Sequence, residues 1–311
     1  MVFLLDEGPD RGGTIELEVP FSPTSPVFGH GDRVVLDYRP EAAERFQYNY
    51  LDRQRRPTLI WVALLFGVVV VVLGRLRGLA ALVGLAATVV ILLHFIVPAI
   101  LDGREPVLVA IVGAAAVSYV ALYLSHGLTR MTTVALLGTL AALGLTTLLS
   151  WIALGMARLS GFASDESYII TMVGTVDVSG LILAGVVLGT VGAVDDVTIT
   201  QASTVWEVHR AQPALSRLAL FRSGLRVGRD HVASMVNTLL LAYAGAAMPL
   251  LLFFVLSSQS LGTILNSEVV ATEVWRTLIG SIGVVASVPL TTWLAAVSVT
   301  DDPGAAPAHS P

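Results

Sequence analysis

The sequence predicts an all-α polytopic membrane protein with about seven transmembrane helices and a small N-terminal β domain. Of its 311 residues, 55% are hydrophobic and only 13% are charged, and the mean hydropathy is +0.78. Soluble domains carry about 25% charged residues, so the chain falls outside that class. Long apolar segments indicate that the chain crosses a lipid bilayer repeatedly. The lipid bilayer is therefore a predicted partner of the chain.

Residues 1–52 form the first predicted domain, a small β domain. TIELEVPF alternates polar and apolar residues, and RVVLDY follows a Gly-Asp turn signal, so both are predicted strands. The chain opens on MVFLL, without the charged start and cleavage site of a signal peptide. Some 50 residues make only a marginal sheet. We therefore expect a truncated domain, preceded in the full-length protein by further strands and a membrane helix.

The second predicted domain, residues 53–298, contains the membrane helices, and residues 299–311 are a predicted disordered tail. Hydropathy predicts seven spans of about 17 to 28 residues, each long enough to cross a bilayer straight or tilted. In chain order they are Thr58–Gly74, Gly78–Leu101, Val107–Tyr123, Met131–Ala157, Val178 to about Ser203, Val232–Val255 and Val270–Val297.

Arginine placement predicts the orientation. Every basic residue is an arginine, and the segment Glu207–His231 is the richest in them. Because cytoplasmic loops are enriched in basic residues, we expect this segment and the C-terminus on the cytoplasmic side of a bacterial cell membrane, with the β domain outside. Arg53, Arg55 and Arg56 conflict with this orientation. An upstream helix that translocates the β domain would resolve the conflict.

Composition and motifs argue against several other functions. Cysteine is absent, which rules out disulfides and thiol chemistry. The net charge of −5 argues against a positively charged surface that would bind nucleic acid. No Walker motif, nucleophile elbow, dinucleotide loop or metal-ligand cluster is present. We therefore predict no enzymatic activity, cofactor, metal site or nucleic-acid partner.

Asp195 and Asp196 lie side by side in the apolar segment VGAVDDVTITQASTVWEV. They are the only charged residues from Val178 to Trp206. An aspartate at the centre of a membrane helix costs roughly 2.5–3.5 kcal/mol on insertion scales. Desolvation and mutual repulsion both favour the protonated form. The pair is therefore the predicted proton- or ion-coupling site.

Polar residues near the pair are predicted to support it. Four residues follow the i, i+4, i+7, i+8 spacing of one helix face, flanked by two more; these are Asp196, Thr200, Ser203 and Thr204, with Thr198 and Gln201. Gly185, Gly189 and Gly192 precede them on the same face and would let another helix approach closely. Asn237, within the sixth span, is included as a supporting residue, although such residues more often join helices.

An alternative places the aspartates at a membrane boundary. In this alternative the helix ends near Val194, and Asp195 and Asp196 cap a following interfacial helix. DDVTITQASTVWEVHRA has a suitable amphipathic pattern for such a helix. The desolvation cost of the carboxylates would then largely vanish.

Other ionisable residues are predicted to have local roles. Asp177 is placed to cap the aspartate helix, and Glu273 and Arg276 have the i, i+3 spacing of a local ion pair. His231 lies with Arg229 and Asp230 at the start of the sixth span. These three could gate access to the aspartates, although a solvated helix end is the simpler interpretation.

These segments resemble the YibE/F family of bacterial multi-pass membrane proteins, in its actinobacterial form. The matching stretches are GAVDDVTITQASTVWEV, GLRVGRDHVASMVNTLLLAYAGAAMPLLLFF, LNSEVV, VWRTLIGSIGVVASVPLTTWLAA and DRQRRPTLIWVALLFG. The resemblance covers most of the chain from Gly31 onward. It implies a multi-pass architecture with a larger extracytoplasmic β domain, and a general permease role without a substrate.

The chain is also similar, more distantly, to half of the membrane repeat of resistance–nodulation–division transporters. The shared order is an Asp-Asp pair in a helix, a basic loop, a GRDH…NT helix and a PLTT helix. Paired aspartates relay protons in those transporters, so the resemblance implies this role for Asp195 and Asp196. The chain departs from them because it has no lysine to pair with the carboxylates and only one set of helices. A homodimer would supply the second half.

The predicted function is a transporter-like membrane protein, proton- or ion-coupled through the aspartate pair, with an unidentified small solute or ion as cargo. One alternative is a non-catalytic membrane scaffold whose β domain binds a partner. A remote third is an intramembrane aspartyl protease, which needs two carboxylates on different helices facing one water. Adjacent residues instead point about 100° apart on one helix.

Overall fold

A computed structural model describes residues 1–17, 27–43, 46–162, 169–170, 172, 176–257 and 259–300. The chain divides into two compact units, Met1–Val72 and Leu73–Pro311. The predicted disordered tail lies outside the described residues from position 301 onward. The last two residues of the predicted membrane domain and the first two of the tail belong to one helix that ends at Thr300.

Two antiparallel hairpins open the first unit. Strand β1 (Val2–Leu4) pairs with β2 (Thr14–Glu16), and β3 (Val34–Tyr38) pairs with β4 (Tyr48–Arg53). The strands predicted in TIELEVPF and RVVLDY are confirmed, the first as far as the described residues extend. Tyr48 donates a 2.6 Å hydrogen bond to Asp10 Oδ2, and this bond raises the pKa of Tyr48 to about 12 because the carboxylate holds the phenol proton.

A long helical segment follows the strands. Helix α1 (Arg56–Ile91) continues through a π-helical turn (Leu92–Ile96) into α2 (Val97–Leu101). At Arg75 the backbone leaves the helical region, with φ 52° and ψ −131°. A non-glycine residue rarely adopts a positive φ. This break falls between the first two predicted spans.

The second unit also contains, among the described residues, helices α3 (Pro106–His126), α4 (Arg130–Ala157), α5 (Val178–Ala211), α6 (Arg217–Ala246), α7 (Met248–Leu256), α8 (Leu261–Asn266) and α9 (Glu268–Thr300). Five described helical segments are long and apolar enough to cross a membrane, or six if α6 and α7 form one bent span. The count differs from the predicted seven because residues 56–101 form one segment. The predicted class, an α-helical membrane protein with a small β region, is confirmed.

The sixth predicted span, Val232–Val255, is divided in the structure. Helix α6 ends at Ala246, α7 begins at Met248, and the two axes differ by 64°. Pro249 accounts for the break, since proline lacks the backbone N–H and its ring clashes with the preceding turn. Helix α6 also begins at Arg217, so much of the arginine-rich segment is helical.

Helix α5 is the most buried of the candidate spans. Within its most apolar window of 18 residues 61% are buried, compared with 50% for α9. Helices α5 and α9 run parallel, because their contacts keep the same order along both: Gly185 with Arg276, Thr190 with Gly280, and Gln201 with Thr292. Helix α6 runs antiparallel to α9, because Gly224 lies against Thr292 and Gly228 against Val288.

Two reciprocal contacts between glycine and threonine join α4 to α9. A β-carbon at Gly138 would overlap Thr291, and a β-carbon at Gly283 would overlap Thr146. The order of the contacts is reversed between the helices, so α4 and α9 are antiparallel. Each threonine fills the space that a glycine leaves on the facing helix, as is common where membrane helices pack closely.

Candidate functional site: a carboxylate pair in helix α5

Helix α5 carries both aspartates in its interior. It runs unbroken from Val178 to Ala211, so Asp195 and Asp196 lie near the middle of its 34 residues. The alternative in which a helix ends near Val194 is therefore wrong. Asp177 is the N-cap, as predicted, and its carboxylate accepts a 3.1 Å hydrogen bond from Ser179 N.

Hydroxyl groups from neighbouring helices surround the Asp195 carboxylate. Thr139 of α4 donates to Asp195 Oδ1 at 2.9 Å, and its Oγ1 lies 2.8 Å from Thr198 Oγ1. The Thr198 hydroxyl also donates a 3.1 Å hydrogen bond to the backbone carbonyl of Asp195. Both threonines are fully buried, as is Ser118 of α3, which lies near the same carboxyl. Residues of three helices thus meet at one half-buried acidic group.

Asp196 has different surroundings. It is exposed, and it lines a cleft of about 10 Å³ whose other residues are Val197, Thr200, Gln201, His231, Met235 and Val288. This volume is close to the minimum that one water molecule requires. A carboxylate and an imidazole thus line the same small cleft. The two neighbouring carboxylates therefore lie in different environments.

The predicted supporting residues of α5 divide between these environments. Thr198 lies beside Asp195, whereas Thr200 and Gln201 line the cleft with Asp196. Ser203 and Thr204 are half-buried further along the helix, and Thr204 donates a 2.8 Å hydrogen bond to its own backbone at Thr200 O. Ser203 and Thr204 are thus on the helix face predicted from spacing. Only Thr198, Thr200 and Gln201 are adjacent to a carboxylate or to the cleft.

Gln201 joins three helices. It is 2% exposed, and its Nε2 donates at 2.9 Å both to Gly224 O of α6 and to Thr292 Oγ1 of α9. A β-carbon at Gly228 would overlap the Gln201 side chain, so α6 can approach α5 only because this position is glycine. Gln201 therefore fixes the wall of the cleft in place.

Asn237 lies apart from the pair. It is exposed on α6, and the adjacent Thr238 bonds to its own helix at Ser234 O, 2.9 Å away. None of the described contacts joins Asn237 to either aspartate, so its supporting role stays a prediction.

Sequence reasoning did not identify Thr139 or Ser118. Both are hydroxyl residues within apolar spans, and so are Thr146 and Thr147, which bond only to carbonyl groups of their own helix in the described hydrogen bonds. Nothing in the spacing of these residues distinguishes a hydroxyl beside Asp195 from one that bonds to its own helix. His231 was one of three candidates for a gate, and it is the one that lines the cleft.

The hydroxyl bonded to Asp195 fits both protonation states of the carboxyl. Within the described residues, no group of three or more His, Asp or Glu side chains could hold a metal. The Asp195 carboxylate instead accepts from a neutral hydroxyl, which stabilises its charge, and once protonated the carboxyl can donate in turn. The hydrogen bond between Thr139 and Asp195 can therefore persist when the carboxyl gains or loses a proton.

The chain was compared with known proteins and protein families. A family model described as YibE/F-like protein matches residues 62–301, a range that includes both aspartates, Thr139 and His231. No curated protein and no solved structure matches the chain. The more distant resemblance to resistance–nodulation–division transporters stays a prediction.

Proposed function

The chain belongs to the YibE/F family, and we propose that it is a proton-coupled membrane transporter whose coupling site is the pair Asp195 and Asp196. The observation that carries this proposal is the contrast between the two adjacent carboxylates. Asp195 accepts from the buried Thr139 hydroxyl, whereas Asp196 lines a water-sized cleft beside His231. One carboxylate thus faces the packed interior and the other faces a route for protons.

The proposed mechanism uses the cost of burying charge. A protonated carboxyl is much cheaper to enclose than a carboxylate. Protonation therefore favours a packing that encloses the pair, and ionisation favours one that admits water. In this scheme Asp196 exchanges protons with the cleft, and Asp195 transmits the change of charge to α3 and α4.

The proposal includes an orientation in the bacterial cell membrane. Arg210 and Arg217 lie near the junction of α5 and α6, followed on α6 by Arg222 and Arg226. Their density supports a cytoplasmic location for this junction, and α9, which runs parallel to α5, then ends on the cytoplasmic side as well. In this proposal the 46-residue segment Arg56–Leu101 crosses the membrane twice, with its turn at the backbone break of Arg75, which leaves residues 1–52 outside. The chain has no cysteine, so the variants Gln212→Cys and His30→Cys each carry one thiol. In intact cells, a membrane-impermeant maleimide should label the second and not the first.

Infrared spectroscopy of the purified protein in lipid tests the coupling site without knowledge of the cargo. A pH titration should show a carboxyl C=O band that Asp195→Asn or Asp196→Asn removes or shifts. Asp102→Asn, the same change at an exposed helix end, is the matched control. If both variants of the pair leave every titrating band unchanged, the proposal is wrong.

Proton flux into sealed vesicles provides the second measurement. Both Asn variants should insert in the membrane at wild-type levels and lose pH-driven flux, while Asp102→Asn retains it. The alternative function, a non-catalytic scaffold, predicts instead that the variants behave as the wild type. A homodimer is the proposed assembly, and the mass of the detergent-solubilised protein measured by light scattering checks it.

A further inference from the structure

We propose that helices α5, α6 and α9 form a binding site for a small oxyanion, either a carboxylate or a phosphate. The site is named here the donor cluster and consists of Tyr243, Thr272, Trp275 and Arg276. It lies against the first half of α5, apart from the carboxylate pair. Its role as the cargo site rests on the proposed function, whereas the binding of the anion does not.

Three buried side-chain donors near the start of α9 have no hydrogen-bond partner among the described residues. They are Thr272 Oγ1, Trp275 Nε1 and Arg276 Nε. Their i, i+3 and i+4 spacing places them on one side of the helix. Indole and guanidinium nitrogens only donate, and buried donors in proteins are nearly always satisfied. The group that completes this cluster must therefore offer acceptor atoms.

Arg276 gives the cluster its charge. Its Nη1 forms the predicted ion pair with Glu273 Oε1 at 2.8 Å, and the two side chains are 27% and 33% exposed. Its Nε and Nη2 lie toward α5, where a β-carbon at Gly185 would be 3.8 and 3.5 Å away from them. This edge of a guanidinium carries two parallel N–H groups, which bind two oxygens of a carboxylate or phosphate. The ion pair with Glu273 leaves that edge available.

The glycine face of α5 provides the opposite wall. A β-carbon at Gly189 would lie 2.8 Å from Tyr243 Oη, so the phenol of α6 can rest against α5 only beside a glycine. Gly192, one turn further along, is exposed, and a β-carbon there would meet nothing within 4 Å. Gly185 and Gly189 thus accommodate side chains of α9 and α6, and the Tyr243 hydroxyl adds a fourth donor.

The donor cluster and the carboxylate pair share one helix. Asp195 follows Gly189 by six positions, which is about 9 Å along the helix axis at 1.5 Å per residue. An anion bound at the cluster repels an ionised carboxylate and so favours protonation of the pair. By linkage, protonation of the pair then favours binding of the anion. The cargo inferred from this reciprocity is a small oxyanion that crosses the membrane together with a proton.

Trp275 is itself a reporter of the site. We would titrate the purified full-length chain in lipid nanodiscs with sodium acetate, sodium phosphate and sodium sulfate, at constant pH and ionic strength, with sodium chloride as the reference. At least one oxyanion should give a saturable change in tryptophan fluorescence that is absent in Trp275→Phe. Acetate and phosphate distinguish a carboxylate cargo from a phosphate. A lack of saturation with all three oxyanions would overturn the proposal.

Variants of the other donors test the recognition. Arg276→Gln should raise the half-saturating concentration about tenfold or more, because it removes a charge-assisted bond. Tyr243→Phe keeps the ring and should weaken binding by a smaller factor, and it replaces Arg276→Gln if that variant does not fold. An unchanged affinity in both variants would contradict the site. Asp195→Asn should still bind the anion, so a failure of proton coupling and a failure of anion binding remain distinguishable.

Discussion

Thr139 on α4 and Asp195 on α5 are joined by a 2.9 Å hydrogen bond across 56 positions of the chain. The bond links a hydroxyl that is fully buried to a carboxylate that is half-buried. Among the described contacts, this hydrogen bond is the most direct link between the charge of Asp195 on α5 and helix α4. The environment of the carboxylate pair therefore depends on Thr139, which lies outside the segment VGAVDDVTITQASTVWEV.

Replacement of Thr139 by valine should leave the shape of the site intact and remove this donor. With no hydroxyl bonded to it, the C=O stretch of protonated Asp195 should move to higher wavenumber in infrared spectra, and proton flux should fall. Thr139→Ser keeps the hydroxyl and should preserve both the band and the flux. An unchanged Asp195 band in the valine variant would show that the bond is not formed in the membrane.

Gln201 should contribute measurably to stability. Gln201→Leu removes two buried hydrogen bonds, to Gly224 O and to Thr292 Oγ1, and each such bond contributes about 0.5–1.5 kcal/mol to the free energy of unfolding. Denaturant titration in detergent micelles measures the change. Thr204→Val is the matched control, because Thr204 bonds within its own helix, and it should change stability by less than about 0.5 kcal/mol. Equal effects of the two substitutions would refute this role of Gln201.

The packing between α4 and α9 should tolerate no added methyl group. Gly283→Ala places a β-carbon into Thr146, and such overpacking costs about 1–3 kcal/mol. Gly192→Ala, where the added carbon meets open space, should be neutral or slightly stabilising in the same unfolding assay. The double variant Gly283→Ala/Thr146→Ala should recover part of the loss, because it restores the space. Purely additive effects would argue against this contact.

Glu268 should protect the end of α4 from protease. Its Oε1 accepts hydrogen bonds from Ser160 N at 2.6 Å and Gly161 N at 2.7 Å, and from Ser160 Oγ at 2.8 Å. Glu268→Ala removes these acceptors and should speed cleavage by trypsin after Arg158, as followed by mass spectrometry. Glu268→Gln keeps one acceptor oxygen and should give an intermediate rate. If the alanine variant is cleaved no faster than the wild type, the contact does not hold this segment.

The sequence was most informative where a pattern depends on local physics. Hydropathy predicted the membrane helices. Alternation predicted the strand that begins at Thr14, and a Gly-Asp turn signal predicted the strand that begins at Val34, because burial and backbone preference act over a few residues. The i, i+3 spacing of Glu273 and Arg276 was enough to predict their ion pair. The bend after Ala246 was missed although Pro249 is its local signal, because the apolar run continues through it.

The remaining features depend on contacts between distant segments. Whether α5 continued past Val194 was undecided from the sequence, because the same residues also suit an interfacial helix. In the structure α5 continues past Val194, and Val197, Ile199 and Ala202 are buried against neighbouring helices. Thr139 could not be chosen from the many hydroxyl residues in apolar spans, since only its distance to Asp195 distinguishes it. The roles of the glycines likewise became clear only from the side chains that face them.

The paired glycine–threonine contacts limit how the membrane bundle can move. Gly138 and Gly283 lock α4 to α9 at two points, and Gly280 holds α9 against Thr190 of α5. These three helices therefore keep a common axial register and lose the freedom to slide past one another. The cleft beside Asp196 is lined by α5 and α9 on one side and by His231 and Met235 of α6 on the other. Gly224 and Gly228 hold α6 against Thr292 and Val288 of α9 in the same way, so the opening through which Asp196 meets water has walls on three helices of fixed register.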